Sequence, residues 1–324
     1  MKIKRLAVIG FGSIGKRHCQ AIKESYPNID IVLVRRETKD LGDFEGNVFA
    51  TVNSIDDALK LDIQAAIIAT PASLHLKQAM KLASNGIHLL IEKPISINLL
   101  NQQKLDAILK KQKIICKVGY VLRFDPNLNF FRDFLDNKNI GEILHVKIES
   151  SSYLPNWRPD QNYKSSVSAK KELGGGVLLE LSHELDYFIW LFGFPKKISS
   201  LIYNTNELGV DVEDQASILL ESKDGFSASI DLNFSSQHMS RFCEVITTTG
   251  KLRLDFVDQK VTWQLGNNEP QIFQHKYERD EIFQRQISDF ISAIQTNNIE
   301  SNSYSDGISV LQFVEKIYEN KMNG

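Results

Sequence analysis

The sequence predicts an α/β fold in two parts: an N-terminal Rossmann-type doubly wound parallel sheet, then an α+β domain with an open, mostly antiparallel sheet. Two observations carry this. Up to about residue 120, short runs apolar on both faces alternate with longer segments of helical period, as strands covered by helices on both sides do. Beyond that point the strands alternate strictly between apolar and polar residues, as sheets with one wet face do. A length of 324 residues is ample for two cores. The expected boundary, 1–120 against 121–324, rests on the change of period, since the sequence shows no repeat and no low-complexity linker.

In the first part, Leu6–Ile9, Ile31–Val34, Ala65–Ala69, His88–Ile91 and Ile114–Val118 read as strands. Between them, Ser73–Asn85 sets Leu74, Leu76, Ala79, Met80, Leu82 and Ala83 at helical spacing, with Gly86 as a stop signal. In the second part, Phe226, Ala228, Ile230, Leu232 and Phe234 face one way and Ser227, Ser229, Asp231 and Asn233 the other. Leu252, Leu254 and Phe256 repeat that pattern, as does Val261-Thr262-Trp263-Gln264-Leu265. Two helices follow, one with Phe283, Ile287, Phe290, Ile291 and Ile294 on a core stripe, the other with Ile308, Leu311, Val314, Ile317 and Tyr318.

Composition narrows the partners. With 42% apolar residues, 24% charged residues, a net charge of −2 and no long basic run, neither a nucleic-acid groove nor an anionic membrane surface is expected, and a small molecule is. No apolar stretch approaches the roughly 20 residues that span a bilayer. The basic start Met1-Lys2-Ile3-Lys4-Arg5 leads into an apolar run that ends at Gly10 without a cleavage-type site, so a cytoplasmic protein is expected. Cys19, Cys116 and Cys243 are far apart and odd in number, which fits that compartment and argues against a disulfide framework. The seven histidines form no H-E-x-x-H or comparable cluster, and no metal is expected.

Gly10-Phe11-Gly12-Ser13-Ile14-Gly15 is G-x-G-x-x-G, set directly after a strand and opening a helix. In that context the glycines permit a tight turn, close approach of backbone to a pyrophosphate, and packing of helix on strand. The helix N-terminus then offers unpaired N–H groups to the phosphates. A dinucleotide site is therefore expected on Gly10, Gly12, Ser13, Ile14 and Gly15. The second strand ends in Arg35-Arg36, where a carboxylate would bind a ribose 2′-hydroxyl; guanidinium groups match a 2′-phosphate, so NADP(H) is favoured and NAD is the alternative. Glu37 is the counter-signal, and solvated surface arginines are the bland reading.

Four segments, Gly10–Gly15, Ala69-Thr70-Pro71 with His75, Gly86–Pro94 ending in Glu92-Lys93-Pro94, and Gly174-Gly175-Gly176 leading to His183 and Asp186, resemble the Gfo/Idh/MocA oxidoreductases. That resemblance implies a two-domain NAD(P)-dependent enzyme acting on sugars, cyclitols or nucleotide sugars, assembled as a dimer or tetramer. It implies that Thr70, Pro71, His75, Glu92 and Lys93 line the cofactor. It also implies that His183 is the general acid/base, with Lys93 positioning or sharing the proton and Asp186 supporting the site. The chemistry agrees for Lys93, which ends a strand at the edge of an open sheet where ligands bind, and oxidising a carbinol needs a group to take the hydroxyl proton.

A continuous helix over Glu180-Leu181-Ser182-His183-Glu184-Leu185-Asp186 would put Glu180, His183 and Asp186 on one face, where a carboxylate can fix the imidazole tautomer. The spacing from Glu180 to His183 is one residue shorter than in the commoner family pattern. The Ser-His-Glu-Leu-Asp form resembles a branch associated with bacterial surface-polysaccharide and nonulosonate biosynthesis, implying an activated sugar. The stretch Tyr153–Asp160, with Tyr163 and Arg123, resembles the family's segment over the active site: Trp157 can stack on a sugar or nicotinamide, Arg123 or Arg158 can meet a phosphate or carboxylate, and Tyr163 offers a hydroxyl. Each could equally pack or face solvent. Two other functions fit the same features. One is a redox-neutral epimerase or glycosidase that oxidises transiently with a tightly held cofactor; the other is a nucleotide-responsive regulator without catalysis.

Overall fold

The computed structural model describes residues 2–35, 48–136, 140–298 and 301–322. The chain forms two compact units, Met1–Val121 with Glu278–Leu311, and Leu122–Tyr277 with Gln312–Gly324. The first break falls beside the expected boundary. The segment Glu278–Leu311, which the sequence expectation placed in the second domain, packs with the first unit.

In chain order the first unit holds β1 (Arg5–Ile9), α1 (Ser13–Ser25), β2 (Asp30–Val34), β3 (Ala50–Val52), α2 (Ile55–Leu59), β4 (Ala65–Ile68), α3 (Ala72–Ser84), β5 (His88–Ile91), α4 (Gln102–Gln112) and β6 (Cys116–Val118). Among the described residues these strands make one sheet of order β3-β2-β1-β4-β5-β6, parallel throughout. The order reverses direction at β1 and β4, the switch point where open α/β sheets bind ligands. Leu6, Ala7, Val8, Ala65–Ile68, Leu89 and Ile91 have no exposed surface, which is why these strands read as unbroken apolar runs. Each such Leu or Ile contributes about 1.5–3 kcal/mol by leaving water. The three-residue β3 was not foreseen; it is short and only half-buried, so its sequence carries no apolar run. The expected strand Ile114–Val118 is trimmed to Cys116–Val118.

The second unit contains α5 (Pro126–Asp136), β7 (Ile143–Tyr153), α6 (Val177–Glu180), α7 (Ser182–Phe192), β8 (Lys197–Tyr203), β9 (Gln215–Glu221), β10 (Ser227–Asn233), β11 (Ser235–Thr247), β12 (Gly250–Asp255), β13 (Lys260–Leu265) and β14 (Gln271–Gln274). Its sheet has the order β14-β13-β12-β11-β7-β10-β9-β8 and is antiparallel except where β10 lies parallel to β7. The alternation from Phe226 to Phe234 is the burial pattern of β10: the apolar set is buried, while Ser227, Ser229, Asp231 and Asn233 are not.

Two helices follow, α8 (Arg279–Thr296) and α9 (Tyr304–Glu319). α8 packs on α1, and Phe283, Ile287, Phe290, Ile291 and Ile294 are buried as a stripe. The buried Lys117 of β6 pairs with Asp289 of α8, a further tie of this helix to the first unit. On α9, Ile308, Leu311, Val314 and Ile317 are buried, but Tyr318 is 42% exposed and its hydroxyl donates to Glu213 at 2.8 Å. A phenol with one apolar body and one polar tip settles at the rim of a core. No described helix is long and apolar enough to cross a membrane.

Candidate active site

The glycine turn joins β1 to α1 at the switch point. Gly10 has φ +98°, and a Cβ there would lie 2.7 Å from the Ala69 carbonyl oxygen; a Cβ on Gly15 would lie 2.1 Å from the Gly10 carbonyl oxygen. Neither position admits a side chain, so the turn and the helix start are both tied to glycine. A Cβ on Gly12 would meet nothing within 4 Å, and Gly12 and Ser13 are exposed with Ile14 half-buried beside them. The α1 N-terminus therefore faces open space with its backbone N–H groups available, the arrangement a pyrophosphate requires.

Arg35 follows β2, with its guanidinium over the Phe11 ring at 5.5 Å. Its Nη1 is buried and has no hydrogen-bond partner among the described residues. A buried donor without an acceptor is costly, and an anionic ligand satisfies it. The glycine turn and this orphaned nitrogen together fit a dinucleotide, whose phosphates are anionic. Arg36, the other arginine expected to act here, and Glu37 lie outside the described residues.

Thr70 and Pro71 are half-buried after β4, with the Thr70 hydroxyl donating to Gln78 at 2.7 Å. His75 is buried in α3 and lies behind this turn. Its Nε2 stands 2.7 Å from the Thr70 carbonyl and its Nδ1 3.0 Å from the Pro94 carbonyl. Burial draws its pKa below the ordinary histidine value, opposed by those two carbonyls and by Glu92. The expected cofactor contact at His75 becomes a tie between the Thr70-Pro71 and Lys93-Pro94 turns.

Glu92 is likewise buried after β5. One carboxylate oxygen meets His18 Nε2 at 2.6 Å and the other accepts the Lys93 backbone N–H at 3.1 Å. Glu92 is thus engaged by the protein, while Lys93 is half-buried at the same strand end, before a cis peptide to Pro94. Because β1, β4 and β5 are neighbours, the glycine turn, the Thr70-Pro71 turn and Lys93 lie in succession along one carboxyl edge of the sheet.

In the second unit the expected continuous helix is broken. α6 ends at Glu180 and α7 begins at Ser182, with Leu181 at φ −95°, ψ 28° between them. Glu180 is therefore not on the helix of His183 and Asp186, and the one-face reading of the three holds only for the latter two. Asp186 is 1% exposed and its two carboxylate oxygens accept from Arg123 Nε at 3.0 Å and Nη2 at 2.6 Å. Arg123 is itself 7% exposed and stacks over Trp190 at 5.2 Å. Its fork is thus held by an internal carboxylate, in place of the substrate phosphate or carboxylate expected from sequence. His183 opens α7, half-buried, one turn before Asp186.

Trp157, Arg158 and Tyr163 come together around a cavity of about 10 Å³, about the room one water needs. Trp157 Nε1 donates to Ser152 at 3.0 Å, the Tyr163 hydroxyl donates to the Leu208 carbonyl at 3.0 Å, and Arg158 is exposed.

Sequence reasoning passed over two polar residues beside these turns. His18 stands with Gly15, Cys19 and Ile22 on the buried face of α1, and an imidazole at a core position of an amphipathic helix was the available signal. Glu213 faces the triple glycine, 2.3 Å from where a Cβ on Gly176 (φ +110°) would stand, and burial raises its pKa. No local pattern marks it, because its partners are distant in sequence.

Comparison with known proteins agrees with this architecture. Residues 4–120 match the family model described as oxidoreductase family, NAD-binding Rossmann fold, and residues 129–253 match the GFO/IDH/MocA C-terminal domain. Glucose-6-phosphate 3-dehydrogenase of Bacillus subtilis strain 168 is 23% identical, with 99% of this chain and 97% of the relative aligned. Among solved structures, levoglucosan dehydrogenase in complex with NADH has a TM-score of 0.87 at 19% identity, covering 98% of this chain and 96% of that one. UDP-N-acetylglucosamine 3-dehydrogenase GnnA from Acidithiobacillus ferrooxidans has a TM-score of 0.82 at 18% identity, covering 99% and 98%. At these identities the structural likeness establishes the fold.

Proposed function

The chain belongs to the Gfo/Idh/MocA oxidoreductases, and on that premise we propose that it transfers a hydride between NADP(H) and a secondary alcohol or ketone of a sugar or nucleotide sugar. The observation that carries this reading is the single carboxyl edge on which the glycine turn, Thr70-Pro71 and Lys93 follow one another at the switch point. The N–H groups of Gly12, Ser13 and Ile14 would hold the pyrophosphate, and Arg35 the 2′-phosphate. The dinucleotide, when bound, supplies the carbon that accepts or donates hydride.

The protein's own task is then proton handling. As the carbinol C–H bond breaks and its electron pair leaves with the hydrogen, the hydroxyl proton must pass to a base; in the reverse direction it must return. We assign that exchange to the His183 imidazole, with the Lys93 ammonium holding the oxygen and Asp186 fixing α7 beneath His183. The names of two of the relatives, a sugar-phosphate dehydrogenase and a UDP-sugar dehydrogenase, favour an activated sugar as substrate. With Arg123 committed to Asp186, Arg158 is the cation proposed to meet its phosphate, beside Trp157 and Tyr163. Steady-state assays against a panel of sugar phosphates and nucleotide sugars, read by absorbance of the reduced nicotinamide, test this. Turnover of none of them, with cofactor bound, would sink the substrate class.

The cofactor preference has its own test. Arg35→Ala should weaken NADPH binding by about tenfold or more, the value of a charge-assisted hydrogen bond, and leave NADH within about threefold. Equal effects on both would take Arg35 away from the 2′-phosphate and return attention to Glu37.

A homodimer or tetramer is the proposed assembly. Strand register sets Leu201, Tyr203, Leu219 and Ile246 on one face of the second sheet, 40–58% exposed. An apolar set on an open sheet face is suited to burial against another copy. Light scattering should give a mass of two or four chains for the wild type and a smaller one for Leu201→Lys/Leu219→Lys; a monomeric wild type contradicts this assembly.

A further inference from the structure

We propose that His18 is a positioning residue for Lys93, acting through the Glu92 carboxylate. The proposal rests on the reading above only in giving Lys93 a task; the linkage itself stands on geometry within the first unit. Glu92 is cradled on three sides. His18 Nε2 lies 2.6 Å from Oε1, and the Lys93 N–H donates to Oε2 at 3.1 Å. A Cβ on Gly119 would come within 2.9 Å of the carboxyl group, so the glycine leaves the space the carboxylate fills.

His18 is fully buried, and its ring stands edge-on to Phe283 of α8 at 5.4 Å and 74°. An ionised Glu92 carboxylate is acceptor-only, so the pairing at Oε1 calls for the His18 tautomer that carries its proton on Nε2. Nδ1 is buried and has no hydrogen-bond partner among the described residues. The ring is thus held by packing on one side and by its short contact to Glu92 Oε1 on the other.

A chain of contact results: α1, which carries the glycine turn, fixes the Glu92 carboxylate, and the carboxylate fixes the backbone from which the Lys93 side chain departs. His75 secures the residue beyond, through the Pro94 carbonyl. A burial requirement alone would be met by a phenylalanine at position 18. The donor at Nε2 has its consequence at Lys93, where a small misplacement of a reacting group costs as much as about 10²-fold in rate.

The test compares His18→Phe, His18→Asn and His18→Gln by hydrogen exchange of the peptide carrying Lys93, by dinucleotide titration, and by kcat against KM. Phenylalanine fills the site without a donor, asparagine is too short to reach Glu92, and glutamine can place an amide nitrogen near the position of Nε2. The expected result is faster exchange of the Lys93 amide in the Phe and Asn variants. The amides of β1 and β4 should stay protected, dinucleotide affinity should stay within about threefold, and kcat should fall with KM little changed. His18→Gln should recover most of both losses. If His18→Phe does not fold, His18→Asn carries the comparison.

Unchanged Lys93 protection in the Phe and Asn variants overturns the proposal. So does exchange that rises equally across β1, β4 and β5, which would make the ring a core filler. The two readings fail separately. Turnover retained in a Lys93→Met variant ends the role given to Lys93 and leaves the exchange result standing, whereas unchanged exchange with Lys93 essential ends the role given to His18.

Discussion

Lys93→Met should lower turnover by about 10²–10³-fold, the loss expected when a donor that holds the reacting oxygen is removed, while dinucleotide affinity stays within about an order of magnitude. The two effects separate because methionine keeps most of the aliphatic stem and removes the ammonium. The Glu92 contact to position 93 uses the backbone N–H, which the substitution leaves in place. The turn at Gly10–Gly15, proposed to hold the pyrophosphate, follows a different strand, β1, from the one that ends at Lys93. The measurement is initial rate at saturating cofactor, alongside fluorescence titration of the same preparation. Normal turnover would remove Lys93 from the mechanism.

Arg123→Met should destabilise the second unit by about 3–5 kcal/mol, because it leaves the Asp186 carboxylate buried without its bidentate partner. The companion Arg158→Ala, on an exposed side chain, should change stability by about 0.5 kcal/mol or less and act on KM for a phosphorylated substrate. Denaturant unfolding of both variants separates two roles for position 123. A large loss of stability supports the structural pairing with Asp186; an unfolding curve like wild type with a raised KM would restore the substrate contact expected from sequence.

What was legible in the sequence was whatever depends on local spacing. The apolar runs gave the parallel strands because both of their faces are buried, and strict alternation gave β10 because one of its faces is not. The G-x-G-x-x-G turn was legible because its geometry excludes a Cβ at Gly10 and Gly15, a constraint written at fixed offsets. What depends on distant partners was not legible. Arg123 reads as an available cation until Asp186, 63 residues on, is seen to hold it. Likewise His75 reads as a cofactor contact until both of its nitrogens are found against backbone carbonyls. The break at Leu181 was missed because Glu180, His183 and Asp186 are correctly spaced for a helix face, and spacing alone does not report φ and ψ. The return of α8 to the first unit is set by its packing on α1 and by the Lys117–Asp289 pair, neither of which any local period announces.

The most direct test of the central claim is fluorescence titration of the full-length protein with NADPH and with NADH. Saturable binding is predicted, tighter for NADPH. If NADH binds as well or better, the arginine argument fails while the dinucleotide site stands. If neither binds, the assignment of the glycine turn, Thr70-Pro71 and Lys93 to a nicotinamide-dependent oxidoreductase site is contradicted.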